Sequence, residues 1–220
     1  MHFSKLRNTA FFIVAIYFIL LLTSNFTKFP DIHHKYFINK NNLFFSSFKN
    51  GGIVLFSEIP GSYINKYEPY DALIKLTSQQ QKDRAIKNAR KNGQTKVTYE
   101  PVQYHINSWN SFGILYIFLL SISIALPISI KNKIVSCVIS LIVLELFFTL
   151  KIWTLLNLRF SIWYKKFEVG FNAEWLTNAF NYFWLIITYP FFGMMFIVII
   201  IFLINSSNLK LSFKTSKISS

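Results

Sequence analysis

Residues 134–150 read IVSCVISLIVLELFFTL, an apolar run interrupted only by small hydroxyl side chains, one cysteine and one carboxylate. A hydrocarbon core about 30 Å thick needs about 20 helical residues at 1.5 Å rise, with roughly 17 to 25 tolerated. The run therefore reads as a membrane span, and three more blocks of the same character lie at residues 10–26, 112–130 and 179–204. Inside lipid no water satisfies backbone N–H and C=O groups, so each block is expected to be helical; the alternating segments of a barrel do not occur in this sequence. The fold class that follows is an α-helical integral membrane protein with four transmembrane helices. A small β-rich (α+β) extracytoplasmic domain, residues 27–111, sits between the first and second.

Basic residues in short loops and tails resist translocation and set the orientation. Lys5 and Arg7 flank the first block, Lys131 and Lys133 fill the turn between the second and third, and Lys210, Lys214 and Lys217 follow the fourth. With four alternating helices these groups share one side, which places both tails, residues 1–9 and 205–220, in the cytoplasm. Trp109, Trp153 and Trp175 then fall at the outer interface, where amphipathic rings settle. The outer segment 151–178, with Lys151, Arg159, Lys165 and Lys166 against Glu168 and Glu174, runs partly against the rule. The first block reads as a retained signal anchor, since no small-x-small cleavage site follows Leu22. These signals imply a plasma membrane location, the inner membrane of a bacterium, with the lipid bilayer as a partner.

A net charge of +14 invites a nucleic-acid reading, but the tally opposes it. Twelve basic and six acidic residues lie between positions 28 and 100, and most of the remaining excess flanks the apolar blocks, where cations serve as orientation signals or headgroup contacts. No nucleic-acid partner is expected. The single cysteine, Cys137, lies inside the third block, so no intramolecular disulfide staples the outer domain.

Within that domain residues 43–48 and 53–57 are rich in β-formers and flank Asn50-Gly51, a dipeptide suited to the positive φ of a tight turn. Residues 72–77 read as another strand, and residues 97–106 alternate Val102, Tyr104 and Ile106 past Pro101, as an edge strand does. Ser78 with Gln81 forms a capping box ahead of a helix over residues 79–92, which Gly93 can stop in the left-handed conformation. Ala85, Ile86 and Ala89 give that helix a thin apolar stripe. Lys82, Arg84, Lys87, Arg90 and Lys91 cover most of the rest, a solvated face or a contact for an anionic surface or a partner. A chain of about 80 residues without disulfides has a marginal core of its own. Beyond the third block, residues 153–178 alternate aromatic and polar groups, including Trp163-Tyr164-Lys165-Lys166-Phe167 and Gly170-Phe171-Asn172, and read as an extension of the third helix followed by an interfacial aromatic helix in the outer leaflet, with a re-entrant element as the alternative.

Chemistry-bearing motifs are sparse. There is no HExxH, GxSxG, Walker loop or GxGxxG, and no catalytic residue, metal or cofactor is expected. His33 and His34 beside Asp31 read as a pair on a surface loop, because adjacent residues of an extended segment point apart. Glu145 stands out, set amid Ile142-Val143-Leu144 and Leu146-Phe147-Phe148. A charged group near mid-bilayer costs several kcal/mol, so it faces the bundle interior, pairs or is protonated. The readings are a neutral carboxyl bonded to a tyrosine or serine of another span, a contact with a partner protein, or a step in an ion or proton path. Pro127 and Pro190 imply kinks in their helices.

Asp71-Ala72-Leu73-Ile74-Lys75-Leu76, an aspartate-led strand before the second block, and Ile124-Ala125-Leu126-Pro127 at that block's end carry a resemblance over residues 71–150. The arrangement is similar to the small multi-spanning proteins that accompany exosortases, the membrane enzymes that sort surface proteins in some bacteria. It departs from them in having Lys131 and Lys133 where arginine is more usual. The resemblance implies a non-enzymatic accessory membrane protein in cell-envelope protein sorting, export or assembly, partnered by another membrane protein of exosortase-like type. A transporter or channel subunit with Glu145 in its pathway is the alternative.

Overall fold

The computed structural model describes residues 2–59, 71–97, 99–126 and 129–189, together with 192, 194–195 and 198–199. The chain forms two units that interleave along the sequence, one of Met1–Lys28, Phe112–Leu150 and Ile186–Ser220, the other of Phe29–Ser111 and Lys151–Leu185. The second unit is thus not the contiguous outer domain expected from residues 27–111. It is completed by a segment from beyond the third apolar block.

In this second unit α2 (Phe29–Phe45) buries His33, Phe37, Asn41 and Phe45, a stripe at strict four-residue spacing. The strand expected at residues 43–48 shrinks to β1 (Ser47–Phe48), because Leu43, Phe44 and Phe45 complete the last turn of that helix. A 3-10 turn at Lys49–Gly51 follows, with Gly51 at φ 83°, and leads into β2 (Gly52–Glu58). β3 (Ala72–Ser78), the basic helix α3 (Gln79–Lys91) and β4 (Val102–Ile106) complete a four-stranded antiparallel sheet in the order β1-β2-β3-β4. Ser78 accepts from the Gln81 N–H at 3.1 Å and so caps α3, and Gly93 follows it at φ 65°.

Register fixes which side chains share a face. Val54 pairs with Leu76 and Phe56 with Ile74, and Ile74 in turn with Tyr104. Phe37 of α2 meets Phe56 edge-on at 5.9 Å on this face. The side-chain amide of Asn42 donates to the Phe56 carbonyl and accepts from its N–H, both at 2.8 Å, and so stands in for a neighbouring strand along β2. The remainder of the face is covered by the last twelve residues of α5 (Ile130–Ile162), where Ile152, Leu156, Asn157 and Phe160 are all buried. Phe160 stacks on Phe48 at 5.3 Å, and the Arg159 guanidinium lies 4.3 Å from the Tyr104 ring centroid. The chain then makes α6 (Tyr164–Phe167) and α7 (Glu174–Thr188). Phe167 is fully buried against Phe160, so part of the aromatic segment expected in an outer leaflet is drawn into this core, while Trp163 is 41 % exposed.

The first unit holds α1 (His2–Asn25), the π turn Trp109–Gly113 from Phe112 onward, α4 (Ile114–Ala125) and α5 up to Leu150. α1 packs on α4, with Tyr17 edge-on to Phe118 at 5.9 Å. On α5 the stripe Ser136, Ser140, Leu144 and Phe148 is buried, whereas Ile130, Ile134, Ile142 and Leu146 are 76, 59, 56 and 64 % exposed. Small residues four apart let a neighbouring backbone approach closely.

Among the described residues one helix, α5, is long and apolar enough to cross a membrane, or two if α1 and α2 form one broken span. This corrects the expectation of four such helices. The span expected over 112–130 stops at Ala125, because Leu126 turns extended (φ −65°, ψ 130°) as the residue before a proline does. Lys133 closes that end by donating to the Ile124 carbonyl at 2.7 Å. The third expected span, 134–150, falls within α5, and the fourth runs from α7 past the continuously described residues. Pro127, Pro190 and the basic tail also lie outside the described residues.

Candidate functional site

A dense polar node of the second unit centres on Asp71, the residue just before β3. Its carboxylate accepts from the Ser108 N–H at 2.6 Å, the Ser108 hydroxyl at 2.7 Å and the Trp109 N–H at 3.2 Å. These two N–H groups open the helical stretch entering the π turn, and Asn107 Oδ1 accepts from the Asn110 N–H at 2.7 Å. Asp71 therefore supplies from a distant strand what an N-cap side chain supplies locally, an acceptor for orphan donors at a helix start. His34 Nδ1 stands 3.9 Å from the same carboxylate.

Ser108 donates directly to Asp71 rather than to an imidazole, so the trio lacks the serine–base contact of a nucleophilic triad. His33 lies edge-on to Trp109 at 5.6 Å and is buried. The expected pair on a surface loop is thus a pair on a helix, with His33 turned inward because the apolar stripe of α2 passes through it. No group of three metal-ligating side chains occurs among the described residues.

The five cations singled out on α3 separate into two sets. Arg84 pairs with Glu168, and Lys82 stands 5.7 Å from the Tyr99 ring centroid. Lys87, Arg90 and Lys91 point outward, exposed. A concavity of about 330 Å³ lies on the Arg84 side of the helix, lined by Arg84, Asn88, Gln94 and Tyr99 among others.

Within the first unit the Tyr116 hydroxyl donates to Glu145 Oε1, a hydroxyl partner on another helix of the kind anticipated from sequence. Phe148 meets Tyr116 edge-on at 5.4 Å and Phe112 at 4.9 Å, so the tyrosine of the pair sits at the edge of an aromatic cluster.

Sequence reasoning passed over Lys151 as a site. It is 2 % exposed and its ammonium donates to the Ser111 carbonyl, in the π turn, at 3.2 Å. A signal was present: Lys151, Thr154, Asn157 and Ser161 recur at helical spacing and all are buried. No protein-family model, curated protein or solved structure matches this chain.

Proposed function

We propose that the chain is a non-enzymatic accessory membrane protein, of the exosortase-associated type, whose sheet-bearing unit positions a partner in cell-envelope protein sorting, export or assembly. One observation carries the reading: α5 exposes large apolar side chains along Ile130–Leu150, yet buries Lys151–Ser161 in a sheet-covered core. Apolar exposure on that scale belongs to lipid or a partner helix. An orientation with both tails inside and α3 outside is part of the proposal, supported by the placement of the basic clusters. Exposed Lys87, Arg90 and Lys91 are the cations offered to the partner or to an anionic surface. Alkaline carbonate extraction should leave the protein in the membrane pellet, and a reporter fused after Asn92 should read as extracytoplasmic. Release into the supernatant, or a cytoplasmic reading at Asn92, would reject the proposal.

The transporter alternative places Glu145 in a pathway, and its contact with Tyr116 supports the structural role instead. Glu145→Gln keeps the shape and an acceptor for the tyrosine, so abundance and phenotype should stay near wild type. Glu145→Leu leaves the hydroxyl without this acceptor and should cost about 1 to 3 kcal/mol, read as a lowered melting temperature in detergent. A Gln variant that accumulates normally but abolishes the phenotype would promote the transporter reading.

A further inference from the structure

After Ile162 the chain makes the single turn of α6 and returns along the flank of α5 before α7 begins. That return is tightly held. Glu168 is the one non-glycine residue with positive φ (54°) among those described, and its N–H closes on the Tyr164 carbonyl at 2.6 Å. Gly170, at φ 100°, lies so near α5 that a Cβ there would come within 2.8 Å of the Ser161 nitrogen. The Phe171 N–H donates to the Ser161 hydroxyl at 3.0 Å, and Phe167 and Val169 are anchored in the core. Backbone in sparsely populated conformations persists where its surroundings over-determine it, and such places concentrate at binding sites.

This return walls a basin of about 680 Å³ whose lining includes Trp163, Lys165, Lys166, Asn172, Glu174 and Thr177. The volume suits a small molecule. The Lys166 ammonium stands 5.9 Å from the Trp163 ring centroid and 6.0 Å from that of Phe167, so its position is set by aromatic faces. Glu168 is committed to Arg84, which leaves Glu174 as the carboxylate lining the basin against two ammonium groups. Trp163, 41 % exposed, presents a flat apolar surface beside them.

We propose that this basin binds the phosphate ester of a small polar alcohol, the chemistry shared by soluble glycerol phosphates and phospholipid headgroups. Lys165 and Lys166 take the phosphate, since charge-assisted donors on a two-to-one cationic site favour an anion. The carbon skeleton lies on Trp163, and Asn172, Thr177 and Glu174 meet the hydroxyl or amine groups of the alcohol. The inference does not depend on the partner reading above.

The test follows tryptophan fluorescence of the full chain in a neutral detergent during titration with glycerol 3-phosphate, with glycerol, and with short-chain phosphatidylglycerol. A saturable change is expected with at least one phosphate ester and not with glycerol, absent in Trp163→Phe. Affinity should fall at least ten-fold in the double variant Lys165→Gln, Lys166→Gln, and about three-fold in each single variant, which decides the matter if the double variant does not fold. Saturation by glycerol 3-phosphate assigns a soluble ester; saturation by phosphatidylglycerol alone assigns a lipid headgroup. No saturation with either, or unchanged affinity in the folded lysine variants, would overturn the proposal.

Discussion

Asp71→Ala is expected to lower the melting temperature of the purified protein by roughly 6–12 °C, about 3 kcal/mol for a chain of this size. The carboxylate takes two backbone N–H groups and one hydroxyl at a helix start, at 2.6 to 3.2 Å. Hydrogen bonds to a charged group contribute about 1.5 to 3 kcal/mol, and an N-cap about 0.5 to 2, with overlap between the two because the same donors are counted. Removing the acceptor leaves the Ser108 and Trp109 N–H groups without it, and Ser108 is fully buried. Asp71→Asn retains one oxygen but turns an amide N–H₂ toward donors, so it should lose about half as much. Ser108→Ala deletes only the hydroxyl and should cost about 1 kcal/mol. Near-UV circular dichroism melts in one detergent rank the three. An Asp71→Ala protein melting within 2 °C of wild type would remove Asp71 from the structural account.

The ranking matters because Asp71 joins strand to helix across 37 residues of sequence, a link that no local pattern announces. Features that local chemistry determines were readable. Ser78 and Gln81 fix the start of α3, and the alternation in residues 102–106 matches β4. Asn50-Gly51 places glycine at positive φ, although within a 3-10 turn rather than a two-residue hairpin. At residues 43–45 composition misled, since Leu and Phe serve the last turn of a helix as well as a strand. The spacing of His33, Phe37, Asn41 and Phe45 carried the correct period.

A second difficulty was the end of α5. Hydropathy stops at Leu150 because Lys151 follows, yet helical periodicity continues through buried Thr154, Asn157 and Ser161. Hydropathy alone splits one helix of 33 residues at Leu150, although the extension of the third helix past that point, expected from the aromatic and polar alternation, is what α5 shows. The same split hid the composition of the second unit, in which Phe48 and Phe160 stack although they lie more than a hundred residues apart. The cations of α3 show the same limit in miniature. Their amphipathic placement was legible, but the partner of Arg84 is Glu168, 84 residues away, and only the fold brings the two together.

Gly170→Ala should have the largest effect of any conservative substitution in the second unit, a loss of about 3 to 5 kcal/mol. Two independent costs act at this position. At φ 100° an L side chain is strained, which costs of order 1 to 3 kcal/mol. A Cβ would also approach the Ser161 nitrogen to 2.8 Å and the Phe160 carbonyl carbon to 2.9 Å, and these are backbone atoms of α5 that cannot rotate aside. Relief requires the returning segment to lift away, which stretches the 3.0 Å bond from the Phe171 N–H to the Ser161 hydroxyl and disturbs Phe167 and Val169 in the core. Overpacking of this kind costs typically 1 to 3 kcal/mol more. Gly93→Ala is the internal control, because that glycine is also at positive φ (65°) but a Cβ there meets nothing within 4 Å. It should cost only the conformational part, about 1 kcal/mol. Equal melting temperatures for the two variants would show that α5 does not confine the turn. A much larger loss at Gly170, with protease cleavage appearing first between residues 163 and 173, would show that close approach to α5 holds the basin wall in place.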